Sequence, residues 1–227
     1  MKIVKSIFKQ ILPIFLIVLN CATFKSEMKG KLEIPAQKNL EATGVNVGFI
    51  FSHYRQTMGY DAIPKLENQH QRIRGFDDFF GDALQELTNI QSYATFTDEA
   101  SDINDPVRRA QKDSLIASHD FIIKMKFVKE KSFASHFLGT LVSSVSATLI
   151  PVPYTYSYKI NCDVYNRDGH QLLQTYNRQV KLTKWVQSAM IFLYPFYPEK
   201  RKQEEIYVEC MHDMFKEIET GKVLVII

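Results

Sequence analysis

The chain has 227 residues, of which 45% are hydrophobic and 23% charged, and this balance is typical of a globular protein with one substantial core. Its formal net charge is +3, but Lys2, Lys5 and Lys9 lie in a segment that we expect to be removed. The remaining 25 basic residues match the 25 acidic ones, which excludes the basic excess typical of nucleic-acid-binding proteins. We therefore expect one folded domain and no nucleic-acid partner.

The amino terminus has the parts of an export signal in their usual order. A basic stretch over residues 1–10 precedes an apolar stretch over residues 11–19. The apolar stretch is roughly nine residues long, whereas a helix that crosses a bilayer needs about 20. Residues 1–20 are thus predicted to be a signal peptide and not a permanent membrane helix.

The residues at the end of this segment, Val18-Leu19-Asn20-Cys21, resemble the lipobox of bacterial lipoproteins. That motif has an aliphatic residue three positions before the cysteine, and usually Gly, Ala or Ser where Asn20 stands. The resemblance implies that Cys21 carries a diacylglyceryl group and anchors the mature chain to a bacterial envelope membrane. Because Ala22 replaces the aspartate that retains such proteins at the inner membrane, it favours the outer membrane. Two alternatives are a plain secretory signal with a coincidental cysteine and an uncleaved anchor.

A flexible tether is predicted over residues 21–44. This stretch mixes polar and charged residues, contains Pro35 and has no sustained apolar period. The remaining residues, 45–227, are predicted to form a single domain.

Apolar spacing, turn residues and helix caps predict alternating strands and helices in this domain. In chain order they are a strand at 45–51, a polar connection over 52–74, a helix from 76 to 87, a strand at 92–97, a helix at 106–118, a strand at 121–127, a hairpin with strands at 154–164 and 171–185, a helix at 199–220 and an edge strand at 223–227. The order is β-α-β-α-β, an apolar segment, then β-β-α. It is typical of a layered α/β fold with helices packed on a mixed sheet.

The order of elements also resembles periplasmic lipoproteins with the anticodon-binding-like α/β fold. The likeness rests on the strand at 45–51, the helix at 76–87, the strand entry at 118–123 and the hairpin residues 163–169. These lipoproteins include the curli secretion lipoprotein and activators of penicillin-binding proteins, and the amino-terminal domain of TolB has the same fold. The resemblance implies a shared fold, and a fold does not by itself define a function.

Two stretches without Asp, Glu, Lys or Arg are the candidate functional surface. They cover residues 132–158 and 186–198. If exposed, they would contact the bilayer, a partner protein or an acyl chain, and if buried, they would pack on each other as a satellite core. The sequence leaves both alternatives open. The candidate residues are Phe137, Leu141, Val145, Leu149, Trp185, Phe192, Tyr194 and Phe196.

No local motif for catalysis or cofactor binding occurs in the sequence. The six histidines lack metal-ligand spacing, and there is no nucleophile elbow, phosphate-binding loop or dinucleotide fingerprint. The carboxylates at 98–105 lack the pattern of a calcium loop and are predicted to be a solvated loop that caps the next helix. Cys162 and Cys210 are compatible either with one disulfide or with two buried thiols. We predict no cofactor, no metal and no enzyme activity.

The sequence therefore favours a non-catalytic, membrane-anchored envelope lipoprotein that serves as an accessory or assembly subunit. The alternative hypothesis is a carrier of lipid or another hydrophobic ligand, and a third is an envelope hydrolase. The expected partners are the membrane, through lipidated Cys21, and envelope proteins or lipid.

Overall fold

The computed structural model describes residues 23–35, 37–38, 42–58, 63–68, 76–146, 149–167, 169, 171–186 and 199–225. They form a layered α/β fold, with a mixed seven-stranded sheet and four α-helices packed on it. The chain divides into two units. The small unit comprises residues 1–26, 132–156 and 182–203, and the large unit comprises residues 27–131, 157–181 and 204–227.

The strands are β1 (Thr23–Lys25), β2 (Val45–Met58), β3 (Pro64–Asn68), β4 (Ile90–Asp98), β5 (Phe121–Lys131), β6 (Val152–Tyr165) and β7 (Leu172–Val186). Their order in the sheet is β1-β7-β6-β5-β2-β3, and β4 also pairs with β2. The helices are α1 (Phe76–Leu84), α2 (Pro106–Ser118), α3 (Phe133–Val145) and α4 (Glu199–Thr220), and a 3₁₀ turn covers Ala100–Asn104.

β2 is the central strand of the large unit. β5 pairs with it in parallel along one side, and β4 pairs with it in parallel along the first half of the other side. β3 pairs antiparallel with the second half of that side, so β4 and β3 follow one another along one edge of β2. Parallel strands that are covered on both faces carry continuous apolar runs. Residues 47–51 of β2 follow this rule, because all five are buried.

Successive side chains of β2 lie on opposite faces of the sheet, and each face has its own core. On one face the ring of Phe49 contacts that of Phe80 in α1, with centroids 4.8 Å apart, and that of Phe215 in α4, with centroids 5.9 Å apart. On the other face Ile50 packs with Leu115 of α2. Both faces of β2 are therefore covered by helices.

Arg178 of β7 is a buried cation, 4% exposed, in the large unit. Its Nε donates to Oδ2 of Asp213 in α4 at 2.6 Å, and its Nη2 donates to Glu217 of the same helix. Asp213 also accepts the backbone N–H of Leu32 at 3.1 Å. One carboxylate thus joins β7, α4 and the amino-terminal segment.

The segment predicted as a tether makes contacts that its sequence did not indicate. In the small unit β1 pairs antiparallel with β7, with Thr23 opposite Lys184. In the large unit Lys29 forms an antiparallel bridge with Gln179. Such pairing uses backbone groups that nearly every residue carries, so a polar stretch without an apolar period can still add to a sheet edge.

The predicted α/β class, with helices packed on a mixed sheet, is confirmed. β3 lies within the stretch that was predicted to be a polar connection. The edge strand predicted at 223–227 does not form at residues 223–225, and residues 226–227 lie outside the described part of the chain. Lys222 has a φ of 50°, and the N–H of Val223 donates to the carbonyl of Ile218. The chain therefore turns back over the end of α4 instead of extending.

We expect Asp213→Ala to lower the free energy of unfolding by about 3 kcal/mol, because it removes one partner of a buried cation. The matched control is Lys159→Ala. It removes the ion pair of Lys159 with Glu130, which is 2.6 Å long and partly exposed, and should cost less than about 1 kcal/mol. Urea unfolding followed by circular dichroism measures both values. Equal losses in the two variants would contradict the structural role of Asp213.

Candidate interaction surface

α3 is a capped helix without charged residues. The Oγ of Ser132 accepts the N–H of Ser135 and caps its amino terminus. Just beyond its carboxyl end, the hydroxyl of Ser146 donates to the carbonyl of Val142 at 2.7 Å. Polar caps thus delimit a helix whose sides carry only apolar and small neutral groups.

The face of α3 that packs on β6 consists of small residues. Gly139 and Ser143 are the buried residues of the helix, and their spacing of four places them on the same face. A Cβ at Gly139 would lie 2.7 Å from Cγ1 of Val152, so the backbone of α3 approaches β6 closely. Small residues at this spacing are what allow such an approach.

His136 fastens the first half of α3 to β6. Its ring lies between those of Tyr154 and Tyr156, with centroids 5.1 and 5.0 Å away. Its Nε2 is 3.2 Å from the carbonyl oxygen of Thr155, and because a carbonyl only accepts, Nε2 is the donor in this contact. His136 therefore has a structural partner on each side.

The large apolar side chains of α3 face away from β6. Val145 is 88% exposed and Phe137 is 65% exposed. An ordinary amphipathic helix packs such residues against the core and exposes its small or polar face, so α3 has the reverse arrangement. We call the exposed apolar residues of this helix and the following connection the α3 surface, which consists of Phe137, Leu138, Leu141, Val142, Val145, Leu149 and Ile150.

Four of the residues predicted from sequence belong to the α3 surface. Trp185, near the end of β7, is partly buried. Leu138, Val142 and Ile150 enlarge the predicted stripe. In the sequence, the orientation of α3 is indicated by Gly139 and Ser143, two small residues four positions apart on the face opposite the stripe. The predicted residues that lie outside the described part of the chain are Cys21, Phe192, Tyr194 and Phe196.

A concave site of about 340 Å³ lies in the large unit. Two cations of its wall have acidic partners, since Lys159 pairs with Glu130 and Arg178 pairs with Asp213. The lining contains no carboxylate or histidine, which are the side chains that most often serve as a general acid or base, so the site offers mainly hydrogen bonds. Its lining residues are Lys29, Gly30, Lys159, Asn161, Asn177, Arg178 and Gln179.

The carboxylates at 98–105 are used within the fold. Asp105 accepts two backbone N–H groups at the start of α2, as predicted, and Asp98 pairs with Lys112 at 2.7 Å. Burial acts to raise the pKa of Asp102, but hydrogen bonds from Arg108 and a backbone amide outweigh it and lower that pKa. Within the described ranges, no group of three or more His, Cys, Asp or Glu residues is arranged to hold a metal ion.

Cys162 and Cys210 are both buried thiols, and no disulfide joins them. Burial raises the pKa of the Cys162 thiol far above its ordinary value. A neutral, buried thiol is a poor nucleophile. Among the helices that the structure describes, none combines the length and apolar character needed to cross a membrane.

No family model and no curated protein matches the chain. Among solved structures, one described as a neuraminyllactose-binding hemagglutinin homolog from Helicobacter pylori is similar over 82% of this chain and 90% of its own. Its sequence identity is 8% and its TM-score is 0.35. The PelC dodecamer from Paraburkholderia phytofirmans is similar over 87% of this chain and 98% of its own, with 8% identity and a TM-score of 0.33. Likenesses this weak carry no argument about function.

The close approach of α3 to β6 predicts opposite effects for two helical glycines. In α3, Gly139→Ala should lower the free energy of unfolding by about 1–3 kcal/mol, because the new methyl group overlaps Val152. In α1, Gly81→Ala should raise it by about 0.5–1 kcal/mol, because a Cβ there meets nothing within 4 Å and alanine favours the helix. Urea unfolding of both variants checks this, and a similar gain in both would show that α3 does not approach β6 this closely.

Exposure of the α3 surface predicts that a charge is tolerated there. Val145→Asp should change the free energy of unfolding by no more than about 0.5 kcal/mol. The same substitution at the fully buried Val164 should lower it by about 3–5 kcal/mol, because an unpaired charge would enter the core. Thermal and urea unfolding measure the pair, and a comparable loss at Val145 would mean that its side chain is covered.

Proposed function

We propose that the chain is a non-catalytic envelope lipoprotein, anchored through a diacylglyceryl group on Cys21, that acts as an accessory or assembly subunit. The observation that carries this proposal is the exposure of large apolar side chains on α3. Folded monomers rarely expose contiguous apolar patches without a function, and such patches mark contacts with proteins or membranes. The α3 surface would be such a contact, in a segment that contains no charged residue.

Several side chains of types that often catalyse reactions are occupied by structural contacts, which supports a binding function over a hydrolase function. Asp105 caps a helix, Asp102 pairs with Arg108, and His136 packs between two tyrosines. The thiol of Cys162 is buried with a raised pKa. These groups already have structural roles that leave them poorly suited to nucleophilic or acid-base chemistry.

The anchor and the location are proposed from the amino-terminal sequence. The apolar run ends in the lipobox-like residues before Cys21, and Ala22 follows where an aspartate would retain the protein at the inner membrane. We accordingly propose the cell envelope as its location, with the outer membrane favoured.

The second candidate function is a carrier of lipid or another hydrophobic molecule. The α3 surface would serve this function if an acyl chain, instead of a membrane or a protein, covers its side chains. Native mass spectrometry of the full lipidated chain separates the two functions. A carrier retains a lipid in addition to the covalent anchor, whereas an accessory subunit gives the mass of the lipidated chain or of its assembly.

Metabolic labelling with a fatty-acid analogue tests the anchor. We expect label on the wild-type chain and none on Cys21→Ala, because only Cys21 follows a lipobox-like sequence. The matched control is Cys162→Ala, which removes a buried cysteine and should keep the label. The proposal fails if the wild-type chain carries no label, or if Cys21→Ala carries as much label as the wild type.

A further inference from the structure

We propose that the α3 surface is a second membrane attachment, which inserts into the headgroup and upper acyl region of the leaflet that holds the Cys21 lipid. The occupant of this surface is thus an anionic lipid bilayer. This inference rests on the proposed lipid anchor, and it adds which apolar residues meet the membrane and that the basic residues of the same unit favour anionic lipid. The α3 surface would lie on the bilayer and not span it.

The first argument is the short link between Cys21 and the folded chain. Cys21 lies two positions before Thr23, so their Cα atoms are at most about 7.6 Å apart. Thr23 is already paired with Lys184 of β7 in the small unit. A lipid on Cys21 therefore holds the small unit next to the bilayer, with no long tether between them.

The second argument is the short path from β1 to α3 within the same unit. His136 of α3 bonds the carbonyl of Thr155 in β6, and the hydroxyls of Thr155 and Thr183 lie 3.0 Å apart. Thr183 of β7 lies opposite Phe24 of β1. This path crosses two strand spacings, which is about 10 Å.

The third argument is the composition of the α3 surface. Its side chains are aliphatic or aromatic, and the neighbouring polar groups in residues 132–158 are hydroxyls and one imidazole without any fully charged residue. Burying this face in the interfacial region removes apolar surface from water and does not transfer a permanent charge into lipid. Partly exposed Trp185, at the end of the neighbouring strand, is a residue type enriched at membrane interfaces.

The fourth argument is the uneven division of charge. After the predicted signal, the large unit has 20 basic and 24 acidic residues and therefore a net negative charge. The small unit has a net positive charge. Anionic headgroups attract such a basic unit. A second copy docked on the same surface would bring two positively charged units together, which disfavours a dimer through this face. The small unit contains one acidic residue, Glu199, and five basic residues, Lys25, Lys184, Lys200, Arg201 and Lys202.

A single environment-sensitive fluorophore tests the insertion. The full chain with Val145→Cys is produced in its lipidated form, labelled and reconstituted into vesicles of phosphatidylethanolamine and phosphatidylglycerol. Cys162 and Cys210 are buried, and Cys21 is blocked when acylated, so the label reports on position 145. The matched control is Ile103→Cys, because Ile103 is a 75% exposed apolar residue of the large unit. Mass spectrometry of each preparation gives its acylation state.

We expect the label at position 145 to lose most of its quenching by aqueous iodide and to be quenched by nitroxide-bearing lipids. The label at position 103 should remain fully accessible to iodide. An acylated, vesicle-bound protein whose two labels are equally accessible to iodide would overturn the insertion and leave the lipoprotein function intact. Protection from iodide without quenching by nitroxide lipids would show that protein covers the face and would also overturn it. A chain without the acyl mass would refute the anchor and, with it, this attachment.

Discussion

β2 is covered on both faces and paired on both edges, and this enclosure constrains the rest of the large unit. A strand in this position cannot alternate between apolar and polar residues, so Val47 to Phe51 form one apolar run. The aromatic rings on one face pack edge to face with those of α1 and are closed in by α4. The opposite face carries Gly48, where a Cβ would lie 2.5 Å from Cδ2 of Leu115, so α2 packs directly over the strand. The central glycine is thus a requirement of close packing and not of backbone conformation.

α3 and α4 have similar apolar residues and use them in opposite directions. In α4 the residues Met214, Phe215 and Ile218 are fully buried against the sheet, as expected of an amphipathic helix. In α3 the glycine and serine of the packed face bring the backbone against Val152, and the bulky residues are left outside. Fixing α3 through Gly139, Ser143 and His136 leaves its large side chains free to contact something other than this chain's core. The exposed surface is therefore a consequence of how the helix is held.

Elements whose side chains determine their packing could be predicted from the sequence. Asp105 and Pro106 mark the start of α2, and alternation over β6 and β7 identifies the hairpin. β1 and β3 were missed because their pairing uses backbone groups and their side chains are largely polar or exposed. The α3 segment was identified by its lack of charge, but its orientation was not. Periodicity predicts which face of a helix is buried when the other face is charged, but every face of α3 is neutral. The steric fit of Gly139 against β6 therefore determines which face is buried.

On the proposed attachment, the uncharged segment and the basic residues of the small unit would have complementary roles at a membrane. The proposed lipid on Cys21 would fix the distance of the chain from the bilayer, but a single attachment point would leave the unit free to rotate about it. A second contact removes that freedom, and α3 supplies apolar area about two strand spacings from β1. On the proposed attachment, the lysines and arginine of the small unit would keep their charged ends at the headgroups while the apolar face enters the leaflet. The contact would add binding energy to an anchor that already holds the protein, so its main effect would be to set the orientation of the small unit on the membrane.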